Sequence, residues 1–336
     1  MFKLPIDKLD ALFAAVASAS TLYLPVDGND GRASYKKWSE GTKMSKALNT
    51  VRSAKDFFFP QTQNLCDFNV KGQNIEIIDN RTESEDFVVF GVRACDARSF
   101  TILDKVFLAD PVDSYYAPRR EHGTIVTMAC TEPEENCFCG VFGIDAAAPE
   151  GDAACWTTED AVYIQANTEK GEKFIESVKS LLTECGSEAV DAQKAETKKI
   201  LEKLPFANVS TDYFRKNTLL DSDKWAKLSE SCLGCGTCTF VCPTCQCYDI
   251  KDYDTGHGIK RYRTWDSCMY SDFTKMAAAN SRNTQLQRFR QRFMHKLVYF
   301  PDNNNGEFGC VGCGRCLSRC PISMNIIKVI KNFGEE

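Results

Sequence analysis

Histidine is scarce in this chain of 336 residues, with three present at positions 122, 257 and 295. None stands in a spacing that suits a catalytic triad or a histidine-based zinc site. A phosphate loop, a dinucleotide-binding fingerprint and a nucleophile elbow are also missing, so the common substrate-converting sites have no sequence support. Basic residues are not in excess: 41 Lys and Arg stand against 46 Asp and Glu, a formal net charge of -5. That balance gives no reason to expect nucleic acid or an anionic membrane surface as partner. No apolar run approaches the roughly 20 residues needed to span a bilayer, so no membrane span is expected.

Hydrophobic residues make up 43% and charged residues 26%, the balance of an ordinary globular protein long enough for two domains. Residues 11–18 resemble the apolar centre of a signal peptide, but Asp7 and Asp10 stand where such a peptide carries basic residues. Leu9, Leu12, Phe13 and Val16 recur at helical spacing after Pro5, which predicts an amphipathic first helix and a cytoplasmic chain.

Cysteine, by contrast, is abundant, with 18 residues. In a large cytoplasmic protein, regularly spaced cysteines point to metal rather than disulfides. Cys232-Leu-Gly-Cys235-Gly-Thr-Cys238-Thr-Phe-Val-Cys242-Pro243 and Cys310-Val-Gly-Cys313-Gly-Arg-Cys316-Leu-Ser-Arg-Cys320-Pro321 share one pattern, C-x2-C-x2-C-x3-C-P. This is the bacterial ferredoxin signature, in which three close thiolates hold one 4Fe–4S cluster and the fourth reaches the other. It predicts Cys232, Cys235, Cys238 and Cys320 as ligands of one cluster, and Cys242, Cys310, Cys313 and Cys316 as ligands of the second. Gly234, Gly236, Gly312 and Gly314 let each loop approach its cluster, and Pro243 and Pro321 stiffen the exits. Zinc prefers pairs of cysteines separated by a longer loop, so four thiols within eleven residues favour iron–sulfur.

The first cysteines of the two runs are 78 residues apart. The insert at 248–305 ends in a basic stretch, Gln287 to Lys296, with Arg288 and Arg292 on one face and Phe289 and Phe293 forming an apolar stripe. An amphipathic helix packed on the cluster domain is the expectation. The alternative is that its arginines raise cluster potentials or grip an acidic partner. Cys245, Cys247 and Cys268 form a rival to the N-terminal cysteines as a third set, or a shell around the second cluster.

Residues 1–190 read as a mixed α/β domain, 191–228 as a helical connector and 229–336 as an α-helical, ferredoxin-like dicluster domain. Asn74–Asp79, Phe87–Val92 and 124–129 read as strands, and 172–183 and 191–203 as helices. Arg93-Ala-Cys95-Asp96-Ala-Arg98 falls at the C-terminal end of a strand, where open α/β sheets place their sites. Cys95, Cys130, Cys137 and Cys139 could together hold a third cluster there, although free cysteines are also ordinary core residues. Cys66, Cys155 and Cys185 read as structural.

Taken together, these motifs resemble the sulfhydrogenase-beta and anaerobic-sulfite-reductase-A family of 4Fe–4S dicluster proteins. The markers are Phe57-Phe-Phe-Pro-Gln-Thr62, Val92-Arg-Ala-Cys-Asp-Ala97, Cys130 with Glu135-Asn-Cys-Phe-Cys139, Cys242-Pro-Thr-Cys-Gln-Cys247, Trp265-Asp-Ser-Cys268, His295-Lys296 and the closing cysteine run. The resemblance implies an electron-transfer subunit that joins an FAD- or FMN-containing subunit, reacting with NAD(P)H, to a second redox module. That module would be a hydrogenase, a heterodisulfide-reductase-type unit or a sirohaem sulfite reductase. It also adds weight to the third cluster. The sulfite reductase members resemble Trp-Ala-Ser-Cys followed by Gly-Gly-His, and the departure here leans towards the hydrogenase- or heterodisulfide-reductase-linked branch. A different reading makes the N-terminal domain catalytic, with a cluster or flavin at Cys95–Cys139 touching substrate and Arg93, Asp96 and Arg98 serving more than packing, and a third makes this a redox-sensing or scaffold protein whose clusters only hold the fold together.

Overall fold

The computed structural model describes residues 1–81, 85–216 and 219–334. The connector and the C-terminal domain expected from sequence include 217–218 and 335–336, which lie outside the described residues. In chain order the first strands are β1 (Phe2–Pro5), β2 (Thr21–Asp27), β3 (Ala33–Lys37), β4 (Thr62–Lys71), β5 (Asn74–Asp79) and β6 (Phe87–Val92). They are followed by β7 (Gly123–Met128), β8 (Ala153–Thr157), β9 (Ala161–Ala166), β10 (Thr183–Glu184), β11 (Tyr248–Asp254) and β12 (Ile259–Trp265). One sheet has the order β10-β1-β9-β8-β7-β6-β2-β3 and a second the order β11-β12-β4-β5. The pairs β2–β6, β6–β7 and β7–β8 are parallel, and antiparallel strands finish both edges.

β6 is apolar throughout because it is covered on both faces. Val88 and Phe90 pack with Leu12, Phe13 and Val16 of helix Leu9–Ala19 and with Phe174 and Val178 of helix Glu169–Val178. Val89 faces the other layer, with Phe58, Phe100, Leu103 and Tyr116. The first helix thus buries the stripe that its spacing predicts. The two later helices fall at Glu169–Val178 and Glu188–Glu202, a few residues from their expected bounds, and Thr183–Glu184 pairs as a short edge strand instead.

The C-terminal portion departs from the expectation of an α-helical domain. Its core is helical, with Trp225, Phe289, Phe293 and Phe333 packed together. However, the insert carries the β11–β12 hairpin, and β12 pairs with β4 from Ile259↔Phe68 to Thr264↔Thr62. The second sheet therefore joins segments from both sides of the expected connector. Polar residues on both faces of β11 and β12 blur the period-two signal, and the pairing partner is too distant in sequence for a local pattern to reveal.

A buried ion pair pins the two portions at the seam. Asp96 opens helix Ala94–Phe107 and accepts a bidentate bond from Arg315 of the second cysteine run, with Nη2–Oδ2 at 2.8 Å. Arg315 also donates from Nε to the Thr50 carbonyl at 3.0 Å. Arg315→Leu leaves a buried carboxylate unpaired and is expected to cost about 3–5 kcal/mol in chemical denaturation. Arg315→Lys should recover only part of this, because an ammonium cannot reproduce the fork.

Candidate metal centre

The two cysteine runs fold alike. Gly234 and Gly312 have φ of +66° and +60°, and Gly236 and Gly314 have φ of +72° and +76°. A side chain would strain the backbone at each of these positions. After the second glycine each run enters a short helix, Thr237–Phe240 or Arg315–Arg319, and these two helices pack on each other. This places the last cysteine of each run beside the other run. Cys320 lines one cavity with Cys232, Cys235 and Cys238. Burial pushes the Cys310 thiol up to about 12 and raises those of Cys313 and Cys316, and the neighbouring Cys242 sulfur adds to each shift.

The donor chemistry suits a cluster. Among the described residues, no three His, Cys, Asp or Glu side chains are arranged to hold a single metal ion. A zinc site draws its donors to one point, whereas thiolates of a 4Fe–4S cube attach to separate irons around it. The amide of Gly234 lies 3.5 Å from Cys232 Sγ, the kind of N–H···S contact that stabilises a cluster thiolate.

Three buried cations surround these thiols. Arg292 lines the cavity of the first run, Lys296 lies close to Cys242, Cys245 and Cys310, and Lys55 donates to the carbonyls of Cys242 at 3.0 Å and Cys245 at 2.9 Å. None of the three ion-pairs with a carboxylate among the described residues, and Arg292 Nε has no partner at all. A buried cation without an anion is costly, so the arrangement calls for negative charge beyond what the protein carries as neutral thiols. Burial disfavours the Arg292 and Lys296 charges, and the nearby sulfurs, where they carry negative charge, favour them. Among the thiols, the hydrogen bond from Cys268 pushes Cys247 down to about 7, and that from Cys245 holds Cys242 well below the usual thiol range.

Cys95, Cys130, Cys137 and Cys139 come together at the C-terminal ends of β6 and β7, all buried. Cys95, Cys130 and Cys139 share a packed cluster with Val311 and Cys313 of the second run. The Phe138 amide donates to the Gly312 carbonyl at 3.0 Å, and a Cβ on Gly312 would stand 2.5 Å from the Phe138 carbonyl oxygen. Close contact with Asn136–Cys139 is therefore a second reason for glycine in that loop.

The 4Fe–4S dicluster domain family matches residues 231–324. The chain is also 33% identical over 295 residues to sulfhydrogenase 2 subunit beta of Pyrococcus furiosus, covering 85% of this chain and 84% of that protein. The chain belongs to the sulfhydrogenase beta-subunit family. No solved structure matches it.

As a member of that family it is an iron–sulfur electron-transfer protein, and the dicluster match spans both cysteine runs with the hairpin between them. The residues weighed for a catalytic role have structural partners. Asp96 is held by Arg315, Arg93 donates to the carbonyls of Leu48 and Ala129, and Arg98 pairs with Glu150. Cys155 lies in the sheet core, and Cys66 and Cys185 are half-buried. Among the described residues no helix is long and apolar enough to cross a membrane. Sequence reasoning missed Lys55 and Lys296 as partners of the cysteines. Lys55 carries no motif, and its burial under Trp265, 3.6 Å from the ring centre, is visible only in three dimensions.

Proposed function

We infer that this chain passes electrons within a cytoplasmic multi-subunit oxidoreductase, between an FAD- or FMN-containing subunit that reacts with NAD(P)H and a second redox module. The hydrogenase in the name of the relative favours a hydrogenase-type module, with a heterodisulfide-reductase-type unit as the variant. The observation that carries this reading is the meeting of Cys320 with Cys232, Cys235 and Cys238, the cross-over that the ferredoxin spacing requires. The proposed ligand sets are Cys232, Cys235, Cys238 and Cys320 for the first cluster and Cys242, Cys310, Cys313 and Cys316 for the second. Cys95, Cys130, Cys137 and Cys139 are candidate ligands for a further one. All 18 cysteines are unpaired, in keeping with a reducing compartment.

Bound 4Fe–4S groups supply one-electron transfer at low potential. The residues of this chain set where that transfer begins and ends. Cys235 and Leu233 are exposed, which brings the first site to the surface where a partner can approach. Cys313, Cys95, Cys130, Cys137 and Cys139 are buried, so the path leads inward across the seam. One face of the second sheet leaves Val70, Ile75, Ile77 and Ile250 exposed, as suits a chain that is part of a complex.

Anaerobically purified protein is expected to carry at least about eight irons and as many labile sulfides, with magnetically coupled EPR signals on reduction. C137A/C139A should lower that count by about four if the N-terminal set holds a cluster. Zinc in place of iron would overturn the reading.

A further inference from the structure

Cys245, Cys247 and Cys268 belong to neither ferredoxin-type set, yet they line one cavity with His295, Arg292 and Lys296. The chain delivers them from three places: the segment after Pro243, the turn after β12, and the residue that follows helix Gln285–Met294. Cys247 and Cys268 stand at the two feet of the β11–β12 hairpin, where the Asp266 amide donates to the Cys247 carbonyl at 2.9 Å. Closing the hairpin therefore brings these two sulfurs together. Lys55 ties the same foot to the N-terminal portion through the Cys245 carbonyl. His295 is half-buried, and its ring nitrogens make no hydrogen bond among the described residues.

The cations around this cavity point to an anionic occupant. Arg292 lines both this cavity and that of the first ferredoxin-type site, and its Nε is buried without a partner. Lys296 spends its hydrogen bonds on the Thr244 hydroxyl at 2.6 Å and the Gly309 carbonyl at 3.0 Å, neither of them charged. The two ferredoxin-type sites supply negative charge to the same cations, so it is the thiols gathered here that mark this cavity as a site of its own. Lys296 and Arg292 also face a group of thiols that those sites leave unused.

We propose that Cys245, Cys247, Cys268 and His295 bind an additional iron–sulfur cluster at the foot of the hairpin, through three thiolates and one imidazole. A single zinc ion suits the donor types but not their placement, because no three of them converge on one point. Imidazole in place of one thiolate makes the site less negative, which raises its potential relative to an all-cysteine cluster. The inference rests on the iron–sulfur reading of the chain. It is independent of the Cys95 set.

The test uses the full chain purified without oxygen. C247A/C268A is expected to lose about four irons and one EPR component while the ferredoxin-type signals persist. His295→Ala should shift that component and leave the others unchanged. Unchanged iron and EPR in C247A/C268A would overturn the proposal, and an unshifted component in His295→Ala would overturn the assignment of the imidazole. If the alanine pair does not fold, C247S/C268S is read in the same way. Native mass spectrometry of the unaltered chain gives an independent count, and a mass with no more than two clusters also overturns the proposal. If Cys235→Ala loses iron while C247A/C268A does not, this inference alone fails; if neither loses iron, the functional reading fails with it.

Discussion

Cys320→Ala is expected to abolish the EPR signal of the cluster held by Cys232, Cys235 and Cys238, although Cys320 belongs to the other run. Cys242→Ala should remove the signal of the site at Cys310, Cys313 and Cys316. Each variant should lose about four irons per chain and slow electron delivery through the complex by at least about a hundredfold. Cys235→Ala should match Cys320→Ala in iron loss and signal, since both belong to one set. The main sheet has its own core of strands and two helices, so its contribution to the circular dichroism should persist. Iron content, EPR and turnover with the partner subunits together decide the matter. A Cys320→Ala protein that loses the second signal and keeps the first would mean that each run binds its own cluster.

Arg292→Leu is expected to lower the reduction potentials of the clusters on either side of it. Arg292 is buried and lines two cysteine cavities, and among the described residues its Nε has no hydrogen-bond partner and its guanidinium no carboxylate. Reduction adds negative charge, so a nearby cation stabilises the reduced state, and removing the cation makes the potential more negative. A unit charge roughly 8 Å away at an effective dielectric of about 20 is worth about 2 kcal/mol, or on the order of 90 mV for one electron. Arg292→Lys keeps the charge and should retain most of the potential. Redox titration followed by EPR measures both variants. Potentials unchanged in Arg292→Leu would show that the arginine serves packing alone, through its contact with Phe293 at 4.4 Å.

The basic stretch that contains Arg292 shows how far a local pattern reaches. Its spacing foretold an amphipathic helix, and Thr284 does cap Gln285–Met294 with a capping box while Phe289 and Phe293 face the core. The pattern could not say which arginines face water. Arg292 and Lys296 turn inward, while Arg290 reaches the Leu220 carbonyl from an exposed position. Inward-pointing charge at an apolar face reads as noise unless the anion it meets is known.

The cysteine runs determined the cluster type, the crossed pairing expected between them and the need for glycine at four positions. Those are local requirements, set by how a short loop wraps a compact inorganic group. The apolar run at Phe87–Val92 likewise determined a buried strand, because a strand covered on both faces must be apolar at every position. Only the tertiary structure decided that the insert adds a hairpin to β4, that Asp96 and Arg315 close the seam, and that Lys55, Arg292 and Lys296 gather around the sulfurs. Each of these joins residues far apart in the chain. Each depends on burial and charge compensation, and these are properties of the packed molecule that neighbouring residues in sequence do not encode.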